Sequence, residues 1–262
     1  MTVRLELHGR VGLLLLDRPP VNALDTATWL EFDAHIRELD QSTQVRAVVL
    51  AAVGANVFSA GADIKEFDDF FEPGHGRAMA LRIHDVLNRL EALAKVTIAG
   101  VEGAALGGGC ELLLACDLRV AGEGASFGFP EVSVGQFPGT GGTMRLPWLI
   151  GESRAKELLL TGRSMTADEA FRAGLVHRVV AVGTALEASL AWAQELALLP
   201  GSGVAAVKQS VSSGRGADAG ERARGDSELS EGEFRSPDAV EGYRAFLEKR
   251  APVFSQPVAK ED

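Results

Sequence analysis

Two glutamates stand where a carboxylate could act as acid or base. Glu111 follows Gly107-Gly108-Gly109-Cys110 and precedes Leu112-Leu113-Leu114-Ala115, so it rides on the first turn of an apolar segment. A carboxylate there costs free energy unless it is hydrogen-bonded or neutral at rest. The competing explanation is a first-turn glutamate stabilised by the positive end of its helix. Glu131 follows Phe127-Gly128-Phe129-Pro130, and its plainer explanation is a surface carboxylate after a proline. Taken one at a time, the structural explanation is the better one for each. Taken together with three glycine-rich approaches, they form a constellation. The approaches are Phe58-Ser59-Ala60-Gly61-Ala62-Asp63-Ile64-Lys65, the run Val101 to Leu112, and Phe127 to Glu131 followed by Gly135-Gln136-Phe137-Pro138-Gly139-Thr140-Gly141-Gly142. Clustered glycine between apolar runs brings backbone close to something.

Other motifs fail on context. Gly124-Ala125-Ser126-Phe127-Gly128 matches G-x-S-x-G, yet that elbow needs a long helix directly after the serine, and here Pro130 intervenes. Ser126 is expected to be a packed strand residue. None of His8, His35, His75, His84 and His177 sits in a loop rich in polar company. Gly107-Gly108-Gly109 and Gly139-Thr140-Gly141-Gly142 do not complete G-x-G-x-x-G, and no Gly-Lys-Ser/Thr follows a glycine loop. No His/Asp/Glu cluster has metal spacing, so no metal or redox cofactor is expected.

The elements that must carry the constellation alternate between strand and helix, which argues an α/β fold. Val3-Leu7 and Val11-Leu16 read as a strand pair around Gly9-Arg10. Asp25 caps a helix over Thr26 to Gln41, with Leu30, Ile36 and Leu39 toward one face. A strand over Val45 to Ala52, an irregular 53–63 segment and a helix over Arg77 to Leu93 follow; Ala80, Leu81, His84, Leu87 and Leu90 share its face. Thr97 to Val101 is a buried strand that leads into an apolar helix over 108–116. Beyond 150 the strand signal fades. Thr166 and Glu169 form a capping box, His177 to Val182 is a last strand, and helices cover roughly 184–199, 202–213, 218–233 and 237–250.

Composition bounds the rest. The 262 residues include 36 acidic and 26 basic side chains, a net charge of −10, which argues against nucleic-acid binding as the main task. Cys110 and Cys116 are the only cysteines and read as buried free thiols in a reducing compartment. The run Leu13 to Leu16 is too short for a signal segment or a membrane span, and Ala259-Lys260-Glu261-Asp262 carries no organelle address, so a cytoplasmic protein is expected.

Through Ser59-Ala60-Gly61-Ala62-Asp63-Ile64-Lys65 and Ala105-Leu106-Gly107-Gly108-Gly109-Cys110-Glu111-Leu112, the chain resembles the crotonase family, the enoyl-CoA hydratase/isomerase superfamily. The resemblance runs from about residue 3 to 255. It implies a crotonase-like ββα spiral, with two roughly perpendicular sheets surrounded by helices over 1–199. It also implies a C-terminal helical region over 200–262 that builds homotrimers, often paired into hexamers. Backbone N–H groups of Ala60 and Gly108 would form an oxyanion hole for an acyl-CoA thioester. Ala60, Gly61, Ala62 and Asp63 would line the CoA path. Glu111 would help activate the water that attacks C3, Glu131 would exchange the C2 proton, and the Gly139 N–H would help hold the water. Phe129 stands where many hydratases carry Gln, and Met144 replaces a common Gln; the first bears on acyl-chain preference. The implied activity is hydration of 2-enoyl-CoA thioesters of the fatty acid β-oxidation type. Competing readings are a Δ3–Δ2 enoyl-CoA isomerase and a catalytically weak acyl-CoA-binding member. Helices after 200 carry Val204, Val207, Val211, Leu229, Phe246 and Leu247, apolar surface expected to meet another subunit.

Overall fold

The structure is a computed structural model that describes residues 1–254. The tetrapeptide Ala259 to Asp262 lies outside the described residues. Strands β1 (Val3–His8) and β2 (Val11–Leu16) pair antiparallel around Gly9. From β2 onward a large sheet grows by parallel addition of β3 (Ala47–Ala52), β5 (Val96–Val101), β7 (Leu118–Gly122) and β10 (Arg178–Val180), in the order β1-β2-β3-β5-β7-β10. The sequences Val-Gly-Leu-Leu-Leu-Leu and Ala-Val-Val-Leu-Ala-Ala are near-continuously apolar because both faces of a parallel sheet are covered. Alternate residues serve separate cores. Leu14, Leu16, Val48 and Leu50 face one cluster, while Leu13, Leu15, Val49 and Ala51 face a second that is closed by Ala185 and Ala193.

A second sheet of four strands, in the order β4-β6-β8-β9, is built from β4 (Val57–Ser59), β6 (Ala104–Leu106), β8 (Ser126–Gly128) and β9 (Ser164–Thr166). Each turn of the chain therefore gives one strand to the large sheet and the next to the small one: β3 then β4, β5 then β6, β7 then β8. Short β4, β6 and β9 have no readable period. The irregular 53–63 segment contains β4, and β9 lies beyond 150, where the strand signal fades. Ser126 is a strand residue, as expected.

Helix α1 (Thr26–Gln41) starts at Asp25, whose side chain accepts from the Thr28 N–H. Its buried face is Trp29, Phe32, Ile36 and Leu39, whereas Leu30, placed on that face by the sequence reading, is 52% exposed. The spacing of 3, 4 and 3 selects Trp29 and Phe32, and Leu30 sits about 100° off that stripe. The short α2 (Phe67–Phe70) precedes α3 (His75–Ala92), which buries Ile83, Val86, Leu87 and Leu90; Leu81 points out. Helix α4 (Gly108–Leu114) is buried from Gly109 onward. Helices α5 (Gly142–Ile150), α6 (Glu152–Thr161) and α7 (Ala167–Ala173) follow, the last opened by the expected Thr166–Glu169 capping box. Helix α8 (Ala185–Leu196) covers the outer face of the large sheet.

The C-terminal helices α9 (Gly201–Ser213), α10 (Ala219–Phe234) and α11 (Pro237–Glu248) are attached differently. Neither α9 nor α10 has a fully buried residue. Helix α9 is pinned by Lys208 Nζ on Asp117, 2.6 Å away, and, just past its end, by Arg215 on Glu91, over an apolar cavity of about 790 Å³. Val207, Val211, Phe246 and Leu247 are exposed, whereas Val204 and Leu229 are half-buried. Among the described residues, no helix is long and apolar enough to cross a membrane.

Candidate active site

The site lies where the small sheet ends. Strand β6 runs into Gly107, whose φ of +51° and ψ of −122° suit only glycine. The lack of a side chain has a second use. A Cβ on Gly107 would sit 2.6 Å from Glu131 Oε1, so the Glu131 carboxylate packs directly against this backbone. The Gly107 carbonyl in turn accepts from the Glu111 N–H at 2.9 Å. One glycine therefore touches both carboxylate residues that the sequence singles out.

Their surroundings differ. Glu111 is 2% exposed, and its Oε1 accepts from the Thr140 N–H at 2.9 Å and the Gly142 N–H at 2.8 Å. Its Oε2 accepts from the Thr140 hydroxyl. Three donors from one turn hold both of its oxygens. Glu131 sits on the short 3-10 turn Pro130–Val134, and its buried Oε2 has no hydrogen-bond partner. Burial, and then the nearby charge of Glu111, push its carboxyl up to about 7. Cys110 feels both carboxylates, and burial pushes its thiol far above the usual range, so it stays a neutral S–H donating to the Ala105 carbonyl. Both cysteines are buried and free.

The loop after β4 approaches from the other side. Gly61, at φ +91°, packs so tightly that a Cβ would lie 2.8 Å from the Leu106 carbonyl and 3.2 Å from the Gly108 nitrogen. The Ala62 nitrogen lies 3.6 Å from the Cβ position of Gly108. Among the described residues, neither the Ala62 nor the Gly108 N–H donates to a protein acceptor. This corrects the expectation for Ala60. The Ala60 N–H already donates to the Val21 carbonyl at 2.9 Å, so it is spent within the fold, and Ala62 faces Gly108 instead. Two adjoining unpaired N–H groups can receive an oxyanion.

Asp63 is tied into the fold beside Ala62. Its side chain is buried, with Oδ2 2.7 Å from Arg18 Nη2 and Oδ1 accepting from the Lys65 N–H at 3.1 Å. Those hydrogen bonds hold its carboxyl below the usual carboxylate range. Its carboxylate therefore shapes the turn around Ala62. Arg18 also reaches Asp25 at 2.9 Å, which ties this loop to the start of α1. Phe129 is fully buried, and its ring backs Gly142, where a Cβ would meet it at 2.9 Å; Met144 is exposed. Gly139 lies in the turn before α5, beside Thr140.

Sequence reasoning missed Thr140 and Gly142 as partners of Glu111, and it missed His84. His84 Nε2 lies 3.0 Å from the Gly139 carbonyl oxygen. A usable signal was present: His84, Asn88 and Glu91 recur at helical spacing on α3, a polar stripe beside an apolar one.

Comparison with known proteins places the chain in a family. The family model for enoyl-CoA hydratase/isomerase matches residues 6–257. A probable enoyl-CoA hydratase of Rhizobium meliloti is 40% identical over 258 residues, covering 97% of each chain. A short-chain-enoyl-CoA hydratase of Clostridium acetobutylicum is 38% identical over 249 residues, covering 95% of each. The solved enoyl-CoA hydratase of Bacillus anthracis superposes with a TM-score of 0.91 at 35% identity, over 97% of this chain and 99% of that one. The fold, the paired glutamates and these relatives lead to one statement: the chain belongs to the enoyl-CoA hydratase/isomerase family, the crotonase family.

Proposed function

We propose that this enzyme is an enoyl-CoA hydratase that reversibly adds water across the trans-2 double bond of a 2-enoyl-CoA to give a 3-hydroxyacyl-CoA. The observation that carries the reading is the pair of neighbouring carboxylates in different surroundings, Glu111 clasped by three donors and Glu131 with its buried Oε2 unpartnered. In the proposed step the thioester oxygen accepts from the Ala62 and Gly108 N–H groups, which draw charge onto it as an enolate forms. Glu111 takes a proton from water as the water oxygen bonds to C3. Glu131, raised to about 7, delivers its proton to C2. The Gly139 N–H is assigned to the water. Ala60, Gly61 and Asp63 supply the wall and shape of the CoA path. Hydration transfers no electrons, so the reading names no cofactor beyond the CoA of the substrate.

The reading extends to setting. The substrate belongs to fatty acid β-oxidation chemistry, the compartment is the cytoplasm, and the assembly is a homotrimer or a pair of trimers. The exposed Val207, Val211, Phe246 and Leu247 support assembly. A light-scattering mass equal to the monomer at micromolar concentration would remove that part.

The decisive experiment is turnover of an acyl-CoA panel, followed by loss of the conjugated thioester absorbance, in buffer with and without EDTA. Hydration of crotonyl-CoA or a longer 2-enoyl-CoA, unaffected by EDTA, is expected. Isomerisation of 3-enoyl-CoA that persists in Glu111→Gln, with no hydration by the unsubstituted enzyme, would turn the reading to an isomerase. Binding without turnover would turn it to a carrier of acyl-CoA.

A further inference from the structure

We propose that His84 is a positioning residue for Glu111, acting through the single peptide unit that joins Gly139 to Thr140. The inference rests on the reading of Glu111 as the base of the hydration step. A carbonyl oxygen only accepts, so the 3.0 Å contact from His84 Nε2 to the Gly139 carbonyl requires the proton on Nε2. The other end of that same planar peptide is the Thr140 N–H, which donates to Glu111 Oε1 at 2.9 Å. Histidine, peptide and carboxylate thus form one hydrogen-bonded chain. A donor on the carbonyl polarises the amide and strengthens its own donation.

The turn needs an external anchor because of its composition. Thr140 is flanked by Gly139 and Gly141, and Gly141 sits at φ +143°, so the peptide unit meets little local resistance to rotation. Helix α3 supplies the anchor from one stripe. His84 holds the Gly139 carbonyl; Leu87 lies 3.6 Å from the Gly141 Cβ position; Asn88 and Glu91 hold Arg145 at 2.7 and 3.0 Å. Arg145 is itself buried, with Nη1 against Gly141. The second turn of α5 and the Glu111 clasp are therefore both indexed to α3. Of these contacts, the one from His84 is the one made to the Gly139–Thr140 peptide, whose N–H donates to Glu111.

The test is a three-variant series measured with crotonyl-CoA. His84→Phe keeps a ring in the half-buried position and removes the donor. It should lower kcat by about 10-fold, while KM stays within about 2-fold, since the acyl-CoA contacts lie elsewhere. His84→Gln places an amide nitrogen near the former Nε2 and should restore kcat to within about 3-fold of the parent. His84→Asn is too short to reach and should resemble His84→Phe; it also stands in for it if the phenylalanine variant does not fold. A parallel reading is free of activity: the Thr140 amide proton resonance should move upfield in His84→Phe and His84→Asn and stay in place in His84→Gln. Parental kcat in all three, or an equal loss in all three, overturns the proposal, as does an unmoved Thr140 resonance. A parent enzyme that hydrates no 2-enoyl-CoA would instead defeat the functional reading, with the amide resonance still deciding whether the His84 chain exists.

Discussion

The two sides of the site solve opposite problems with the same residue type. On the α4 side, Glu111 is almost fully buried and every lone pair facing the turn meets a donor from Thr140 or Gly142. On the 3-10 side, Glu131 presses against Gly107 with a buried oxygen that nothing satisfies. Burial without donors favours the neutral form; burial with donors favours the charged one. Enclosure raises the Glu131 carboxyl, while backbone placement supplies Glu111 with its donors. The difference between the two sides is open to direct attack.

The largest effects should come from removing either ionisable group. Glu111→Gln and Glu131→Gln should each lower kcat for hydration by about 10² to 10⁴, the usual range for a positioned acid or base. KM should change little. The double variant should lose far less than the product of the single losses, because the two groups act on one water and one double bond. Parental hydration by Glu111→Gln would end the two-carboxylate account.

What the sequence disclosed follows the physics of each signal. Long apolar runs such as Val11–Leu16 and Ala47–Ala52 are legible because a doubly covered strand has no polar alternation to hide in. The capping residues Asp25 and Thr166 are legible because they act on their own helix, three residues away. Glu111 and Glu131 stand out because a carboxylate beside clustered glycine has few cheap explanations, and the family resemblance added their roles. The three-residue strands β4, β6 and β9 are not legible, since three positions contain no period. The Ala60 assignment failed for a related reason. Which N–H of a loop is left unpaired depends on a strand-like pairing with Val21 and Leu24, some 40 residues upstream. His84 was read with the apolar face of its helix, and only the fold puts a carbonyl in front of it.

The next largest effect should be at Gly107, where both sides meet. Gly107→Ala forces a Cβ to within 2.6 Å of Glu131 Oε1 and places an L-residue at φ +51° and ψ −122°. Glu131 must move, and kcat should fall by about 10- to 100-fold, with a stability loss of about 1–3 kcal/mol from the strained backbone. Gly139→Ala is the informative contrast, because its φ is not in the left-handed region and the nearest atoms to its Cβ are on the exposed Phe137 ring. A parental kcat in Gly107→Ala would show that the Glu131 contact is incidental.

Smaller, but with a definite sign, is the pH dependence of stability. Glu131 titrates near 7 in the folded state and near 4.5 when unfolded. Between those values the folded protein keeps a proton that the unfolded chain has shed. The Glu131 contribution to stability therefore falls as pH rises from about 4.5 to about 7 and is flat above. In Glu131→Gln that decline disappears, so the variant should exceed the parent at pH 8 by about 1–2 kcal/mol, allowing for partial solvent access, and match it near pH 4.5. Chemical denaturation at the two pH values measures this. In the parent, kcat/KM should fall above about pH 7 as the acid is lost. A variant less stable than the parent at pH 8 would contradict an unsatisfied Glu131.

The smallest expected effect tests the clasp on the other side. Thr140→Val keeps the shape and the N–H donor to Glu111 Oε1 but removes the hydroxyl that donates to Oε2. The remaining bonds from Thr140 N–H and Gly142 N–H still hold the carboxylate, so the loss should be one hydrogen bond to a charged group. That corresponds to about 1–2 kcal/mol and a fall in kcat of about 5- to 30-fold, with KM near the parental value. Thr140→Ser retains the hydroxyl and should recover most of the activity. The contrast with Glu131 then becomes quantitative: its buried oxygen has no donor to delete, so its tuning rests on enclosure, and Thr140→Val should leave the fall in kcat/KM above pH 7 where it was. A shift of that limb in Thr140→Val would show that the Thr140 clasp on Glu111 also sets Glu131.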